Sequence, residues 1–213
     1  HLIRGTFKVK TFFGEYIYIP YPEDRSILYH GMLDGSEVPV TEYLWCTLTK
    51  DDFFFDIGAN IGFYSLLGSH LAKEVHSFEP FPETFRGLLR NKRINIVMNN
   101  IALLDKKGKF YMQEGGNPGR NRIADTGKTE VEATTLDAYC EERNVWPTVM
   151  KIDVEGSELR MLVGASQALK KAHTIVIEVI ERREDIARLL ETFGYREKPF
   201  WSGCKNTLFV RSV

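Results

Sequence analysis

Along the chain, short apolar runs alternate with stretches in which apolar residues recur every three or four positions. Phe53–Phe55, Val75–Phe78, Ile94–Met98, Thr148–Ile152 and Thr174–Val179 are too short for helices and suit strands covered on both faces. Between them, Phe63–Ala72 reads as a helix, and Phe85, Leu88 and Leu89 stripe a helix that Pro82 can open. Ser157–Leu169 is amphipathic through Leu159, Leu162 and Val163. Ile186, Leu189, Leu190 and Phe193 share one face of Arg182–Phe193, which Gly194 stops. This rhythm predicts an α/β fold, doubly wound, with a mostly parallel sheet between two helix layers. Tyr195 and Thr207–Val210, joined by a short loop, predict an antiparallel C-terminal edge.

The flanking and inserted stretches follow other patterns. Aromatic and β-branched residues on either side of Gly14-Glu15 predict an N-terminal β-hairpin within residues 9–19. Pro20, Pro22 and Tyr29–Gly35 read as loop, and Pro39–Lys50 as a covering helix through Tyr43, Leu44 and Leu48. Residues 1–40 therefore form an extension and residues 41–213 the core of a single domain. Leu103–Gln113 predicts a strand pair broken at Asp105–Gly108. Thr134–Asp137 resembles a capping box opening a short helix to Glu142. Glu114–Thr129, rich in Gly and Asn and carrying Arg120, Arg122 and Lys128, reads as structureless.

Composition narrows the partners. A chain of 213 residues fits one well-filled domain, and a net charge of -1 gives no field favouring nucleic acid or an anionic membrane. No apolar run approaches the roughly 18 residues of a membrane span. Cys46, Cys140 and Cys204 have neither CxxC nor Cys/His spacing, which argues against a disulfide framework or zinc site and fits reduced thiols in a cytoplasmic setting.

The chemistry concentrates at FFFDIGANIGFYS (Phe53–Ser65), a strand running through a glycine-rich turn into a helix, where doubly wound proteins hold nucleotide-like cofactors. A pyrophosphate cofactor wants GxGxxG, but Asn60 stands where the second glycine would let backbone approach phosphate, and Asp56 sits poorly beside phosphates. That disfavours a nicotinamide-dependent oxidoreductase. A cationic, amine-bearing ligand without phosphate suits the turn better, and S-adenosylmethionine is one. Asp56 and the backbone of Gly58, Ala59, Asn60 and Gly62 can hold its amino-acid end and sulfonium side. Glu79, at a strand end roughly 20 residues on, can accept from ribose hydroxyls. Asn99 or Asn100, closing the next strand, is placed to read an adenine edge.

DIGANIGFYS, FEPFPETF, IALLDKKG, TTLDAY and MKIDVEGSE together resemble the FkbM-type family of S-adenosylmethionine-dependent, class I methyltransferases, over about Asp51 to Val179. The resemblance implies a Rossmann-like, seven-stranded sheet with an antiparallel last hairpin. It also implies O-methylation, often of sugar or polyketide hydroxyls. Residues 1–40 and 114–129 fall outside it, so the acceptor is not named.

Methyl transfer needs a positioned acceptor and, for a hydroxyl, a base. Asp153 ends the fourth core strand on the cofactor edge, Glu155 follows in a turn that Gly156 tightens, and Glu178 ends the next strand. Three carboxylates in one crevice raise one another's pKa toward a usable base; the same trio can instead hold a hard divalent cation. Asp153 and Glu158 also suit a helix cap and a first-turn charge. Lys151 is expected to pair with a carboxylate, His76 to line the core and Trp146 to pack. His30 lies in a loop within reach of a substrate, and Arg120 and Arg122 read as solvated loop cations or an anion clamp. A catalytically silent cofactor-binding domain is the alternative from a different class.

Overall fold

The computed structural model of the protein describes residues 7–19, 37–113, 122–124, 126–200 and 204–211. In chain order, β1 (Phe7–Lys10) and β2 (Tyr16–Ile19) precede α1 (Val38–Thr47), β3 (Phe53–Ile57), α2 (Phe63–Leu71), β4 (Glu74–Phe78), α3 (Pro82–Arg90) and β5 (Ile96–Asn99). A block of strands follows: β6 (Ala102–Leu103), β7 (Gly108–Gln113), β8 (Arg122–Ala124) and β9 (Thr129–Thr134). Then come α4 (Leu136–Arg143), β10 (Val149–Ile152), α5 (Glu158–Val163), α6 (Ala168–Lys171), β11 (Thr174–Glu178), α7 (Arg183–Thr192), β12 (Tyr195–Lys198) and β13 (Asn206–Arg211).

The main sheet has seven strands in the order β12-β13-β11-β10-β3-β4-β5. Strands β11, β10, β3, β4 and β5 run parallel, and β13 is antiparallel to both β11 and β12. The predicted α/β architecture and its antiparallel C-terminal edge are both present. Alternation in β3 explains the layers. Phe54 packs on one face with Leu66, Leu67, Val75, Leu44 and the hairpin residues Phe13, Ile17 and Ile19. Phe55 and Ile57 pack on the other with Phe78, Tyr139, Met161, Leu162, Ile186 and Leu190. Both faces of the strand are buried, as an uninterrupted aromatic run requires.

The chain winds from β3 outward to β5 on one side, then returns through β10 to β11 on the other. The order reverses between β3 and β10, and their C-terminal ends open on the crevice where such folds bind ligands. Asp56 lies opposite Lys151 and Ile57 opposite Ile152, so Gly58 and Asp153 emerge side by side.

The N-terminal hairpin forms as expected, with Phe7 opposite Ile19. His76 is buried as expected, between the Tyr139 hydroxyl and the Glu74 carboxylate, both 2.7 Å away, and Trp146 packs against the core. Cys46, Cys140 and Cys204 are not paired with one another. The loop expected over Tyr29–Gly35, with His30, lies outside the described residues, as does Arg120.

Three expectations are corrected. Leu103 and residues 108–113 do not pair with each other. β6 and β7 both pair with β9, in a second sheet of order β6-β9-β7-β8. The stretch 114–129 is not wholly structureless, because Arg122–Ala124 pairs antiparallel with β7. Its hydrogen bonds come from a distant strand, which local composition does not reveal. The helix expected over 157–169 is two helices, because a Cβ on Gly164 would lie 2.1 Å from the Leu104 carbonyl oxygen and the chain turns there. Asp137 then starts α6, accepting from Ser166 Oγ and from the backbone N–H groups of Gln167 and Ala168 at 2.8–3.0 Å. Helix α4 is capped as predicted, although Thr135 makes the bond, accepting from Ala138 N–H at 3.1 Å.

The Asp137 cap sets one stability expectation. Asp137→Ala removes the acceptor for three donors and costs about 1–2 kcal/mol. A thermal melt is expected to fall by several degrees, and an unchanged melting temperature would show that the second helix needs no cap.

Candidate active site

The site is built on the glycine turn. Gly58 and Ala59 both donate backbone N–H to the Phe78 carbonyl at 2.9 Å, and Gly62 donates to Ala59 O at 2.8 Å. Gly58, Asn60 and Gly62 have φ of 84°, 51° and 92°. Glycine takes that region without cost, and Asn is among the few other residues that tolerate it. The reason for Gly58 differs from the expected ligand contact: a Cβ there would lie 1.7 Å from the Asp153 carbonyl oxygen. Strand β10 itself, through the residue that ends it, excludes a side chain at Gly58.

Glu79 is bound into this turn. Its Oε2 accepts from Asn60 N–H at 3.1 Å and its Oε1 from Phe81 N–H at 2.9 Å. Each oxygen keeps a second lone pair. Burial pushes its pKa up to about 7, against the two backbone donors that favour the charge; the charges of Asp153 and Asp56 add to the rise.

Two cavities meet at the turn and share Gly58, Asn60 and Asp153. The first encloses about 680 Å³ of space, part of it open to solvent. Glu79 stands on one side, with Phe78, Ile101, Leu103, Met112 and Ile123 forming an apolar wall and Glu155 at the β10 end. The second, with about 590 Å³ of open space, is lined by Glu37, Asp56, Phe63, Tyr64, Lys151 and Asp153.

The expected site residues are not placed alike. Gly58, Asn60 and Glu79 line the first cavity, while Asp56 and Ala59 line the second. Asp56 is buried and accepts from the Ser65 hydroxyl, which accepts in turn from Ser77; burial raises its pKa despite the nearby Lys151 cation. Gly62 shapes the turn, and a Cβ there would meet Leu88 at 2.6 Å. Asn100 does not line either cavity: its amide donates to the carbonyls of Glu79 and Pro80 at 2.8 and 3.0 Å, and Ile101 takes the wall position instead.

Among the carboxylates, Asp153 alone lines both cavities. Lys151 Nζ donates to Asp153 Oδ2 at 2.7 Å and sits 5.0 Å from the Tyr64 ring centroid. The pairing was expected, but not that the lysine would be buried. Burial alone would lower its pKa; Asp153, Glu37 and Asp56 outweigh that and hold it above the ordinary lysine value. Glu155 has φ of 50°, a strained conformation for a non-glycine residue, next to Gly156 at 96°. Glu178 lines neither cavity, yet burial first, then the charges of Asp153 and Glu37, push its pKa up to about 7. Asp153 is not a helix cap, and Glu158 is buried with its Oε1 accepting from Gly156 N–H at 2.7 Å. Arg122 pairs with Glu181 at 3.4 Å beside Gly156, at the rim.

The alternative of a divalent cation on Asp153, Glu155 and Glu178 finds no support. Among the described residues no group of three or more His, Cys, Asp or Glu is placed to hold a metal ion.

The groups that sequence reasoning missed are Ile101, Met112 and Ile123 in the wall and Glu37 and Tyr64 in the second cavity. Ile123 is a lone apolar residue in a polar stretch, and Tyr64 hides in an apolar helix; neither carries a periodic signal.

A seven-stranded, mostly parallel α/β sheet with an antiparallel C-terminal hairpin, reversing at a glycine turn, is the Rossmann-like architecture of class I methyltransferases. Residues 56–197 match the methyltransferase FkbM domain, so the chain belongs to that family. It is 29% identical to the hexuronic acid methyltransferase AglP of Haloferax volcanii, over 61% of this chain and 56% of that protein. It is 28% identical to the 31-O-demethyl-FK506 methyltransferase FkbM of Streptomyces tacrolimicus, over 89% and 86%. A solved methyltransferase FkbM from Methylobacillus flagellatus KT shares the fold at TM-score 0.56 and 18% identity, covering 80% of this chain and 50% of that one. The chain thus spans little more than half of the archaeal relative and half of this solved structure.

Two measurements test the geometry. Gly58→Ala forces a side chain onto the Asp153 carbonyl at positive φ and is expected to cost at least about 2 kcal/mol; a variant as stable as the parent would refute the close approach. Glu79 supplies a pH test. Unfolded, its carboxyl ionises near 4.5; folded, near 7. Between those values the folded state retains a proton that the unfolded state has lost, so stability falls as pH rises through that window and then levels, by up to about 3 kcal/mol. Glu79→Gln is expected to flatten the fall in melting temperature of the ligand-free protein between about pH 5 and 8. Equal falls in parent and variant would place the carboxyl in water.

Proposed function

We propose that the protein is an S-adenosylmethionine-dependent O-methyltransferase acting on a hydroxyl of a sugar, glycan or small natural product. The observation that carries this reading is Glu79: a buried acid fastened by Asn60 and Phe81, with a lone pair left on each oxygen, lining an apolar-walled cavity. Two such acceptors suit the paired hydroxyls of a ribose. Phe78, Ile101, Met112 and Ile123 suit the adenine faces. The donor, when bound, supplies an activated methyl on a sulfonium.

The chain's own residues do the rest. Gly58 and Asn60 keep the turn tight enough for both cavities to reach the Asp153 carboxylate. Lys151 fixes Oδ2 of Asp153 and leaves Oδ1 to orient an acceptor hydroxyl or take its proton. Glu178 lines neither cavity and has no direct proton-transfer role, although burial pushes its pKa up to about 7. Glu155 borders the first cavity on the acceptor side. The printed names of the two relatives support transfer to oxygen compounds: one names an O-demethyl compound as substrate, the other a hexuronic acid.

Calorimetry with S-adenosylhomocysteine tests the donor site. The parent is expected to bind and Glu79→Ala to lose about 100-fold in affinity, the effect of removing two charge-assisted hydrogen bonds. Absence of binding by the parent overturns the reading. A panel of hydroxyl acceptors with labelled donor tests the chemistry: Asp153→Asn is expected to lose at least about 100-fold in turnover while still binding the donor. Full activity in that variant removes Asp153 from the mechanism, and tight binding without turnover on any acceptor favours a silent binding domain.

A further inference from the structure

Glu37, in the second cavity, lies outside the 56–197 segment that matches the family, and no sequence pattern points to it. It immediately precedes α1, and two residues from other elements hold its carboxylate. The Tyr64 hydroxyl, from α2, donates to Oε2 at 2.7 Å, and Asn206 Nδ2, from β13, donates to Oε1 at 3.2 Å. Asn206 is 4% exposed, and its Oδ1 has no hydrogen-bond partner. A buried acceptor left without a donor is costly. Asn206 is not among the residues lining the cavity, so its part is to hold the Glu37 carboxylate, whose oxygens each have a lone pair left.

The Glu37 carboxylate, which lines this cavity, wants a donor-rich cation. The protein's own cation at this cavity, Lys151, is already committed to Asp153. The first turn of α2 also lines this cavity, and there the N–H groups of Phe63 and Tyr64 have no partner one turn earlier and favour negative charge. One cavity therefore offers both a carboxylate and a helix start. An amino-acid head, an ammonium and a carboxylate on one carbon, fits it. Asp56 was the expected partner for that ammonium, yet it is 1% exposed and occupied by Ser65.

We infer that Glu37, oriented by Tyr64 and Asn206, binds the ammonium of the methyl donor's amino-acid end in the second cavity. The inference rests on the donor reading above and names its specificity residue. The adenosine end belongs to the first cavity, so the two ends of the donor can be tested apart.

The probes are S-adenosylhomocysteine and methylthioadenosine, which keeps the adenosine and sulfur but has no amino-acid end. Affinities are measured by calorimetry for the parent, Glu37→Gln and Tyr64→Phe. Glu37→Gln is expected to bind S-adenosylhomocysteine about tenfold or more weakly and methylthioadenosine as the parent does. Tyr64→Phe, which keeps the ring over Lys151 but frees Glu37, is expected to shift affinity the same way by a smaller factor. Unchanged S-adenosylhomocysteine affinity in Glu37→Gln overturns the inference and gives the cavity to the acceptor. An equal loss for both probes also overturns it, because the effect is then on the fold of the site. If the parent binds neither probe, the donor reading itself has failed. If it binds methylthioadenosine as tightly as S-adenosylhomocysteine, only the Glu37 assignment has.

Discussion

Neighbouring strands in a sheet lie about 4.8 Å apart, and where β3 and β10 end side by side that spacing leaves no room for a side chain between them. Gly58 meets the Asp153 carbonyl there, and the rest of the site is arranged around the contact. With no Cβ in the way, the turn drops onto the end of β4, where Phe78 O accepts two of its N–H groups. That places Asn60 N–H on Glu79, so one backbone conformation fixes both the floor of the crevice and the acid proposed to hold the ribose. The same contact brings Asp153 to the junction of the two cavities. In the proposed reaction, donor and acceptor meet at that junction.

Electrostatics gives the crevice its second property. Glu37, Asp56, Asp153 and Glu178 surround one buried lysine, with Glu79 across the turn, and burial and mutual repulsion push Asp56, Glu79 and Glu178 toward their neutral forms. Lys151 is kept charged by the acids against its own burial. It stabilises Asp153 in one geometry through a short ion pair shielded by the Tyr64 ring. An excess of acids with a single paired cation suits a positively charged donor and a neutral hydroxyl better than a phosphate. The turn itself points the same way, since Asn60 stands where a pyrophosphate site has glycine.

Much of this was legible in the chain. The aromatic run Phe53–Phe55 can only be a strand buried on both faces, and the spacing of Asp56, Gly58, Gly62 and Glu79 follows from how a strand, a turn and a second strand end must meet. The exceptions share a cause. Strand β8 reads as loop in the sequence because its partner β7 lies across a stretch with no periodic pattern. The break at Gly164 depends on Leu104, about 60 residues away, and no local signal records it. Asn100 was assigned to the ligand by position, whereas its amide serves the Glu79 and Pro80 carbonyls. Glu37 and Asn206, remote in sequence, meet only because α1 and β13 flank the same strand ends.

The central claim is that the turn and Glu79 hold an adenosyl group with its sulfur turned toward Asp153. A crystal structure of the complex with S-adenosylhomocysteine tests it most directly. The account predicts both ribose hydroxyls on the Glu79 carboxylate, the adenine between Ile101 and Ile123, and the sulfur beside Gly58 and Asp153. A ribose away from Glu79, or a ligand bound outside the crevice between β3 and β10, would contradict it.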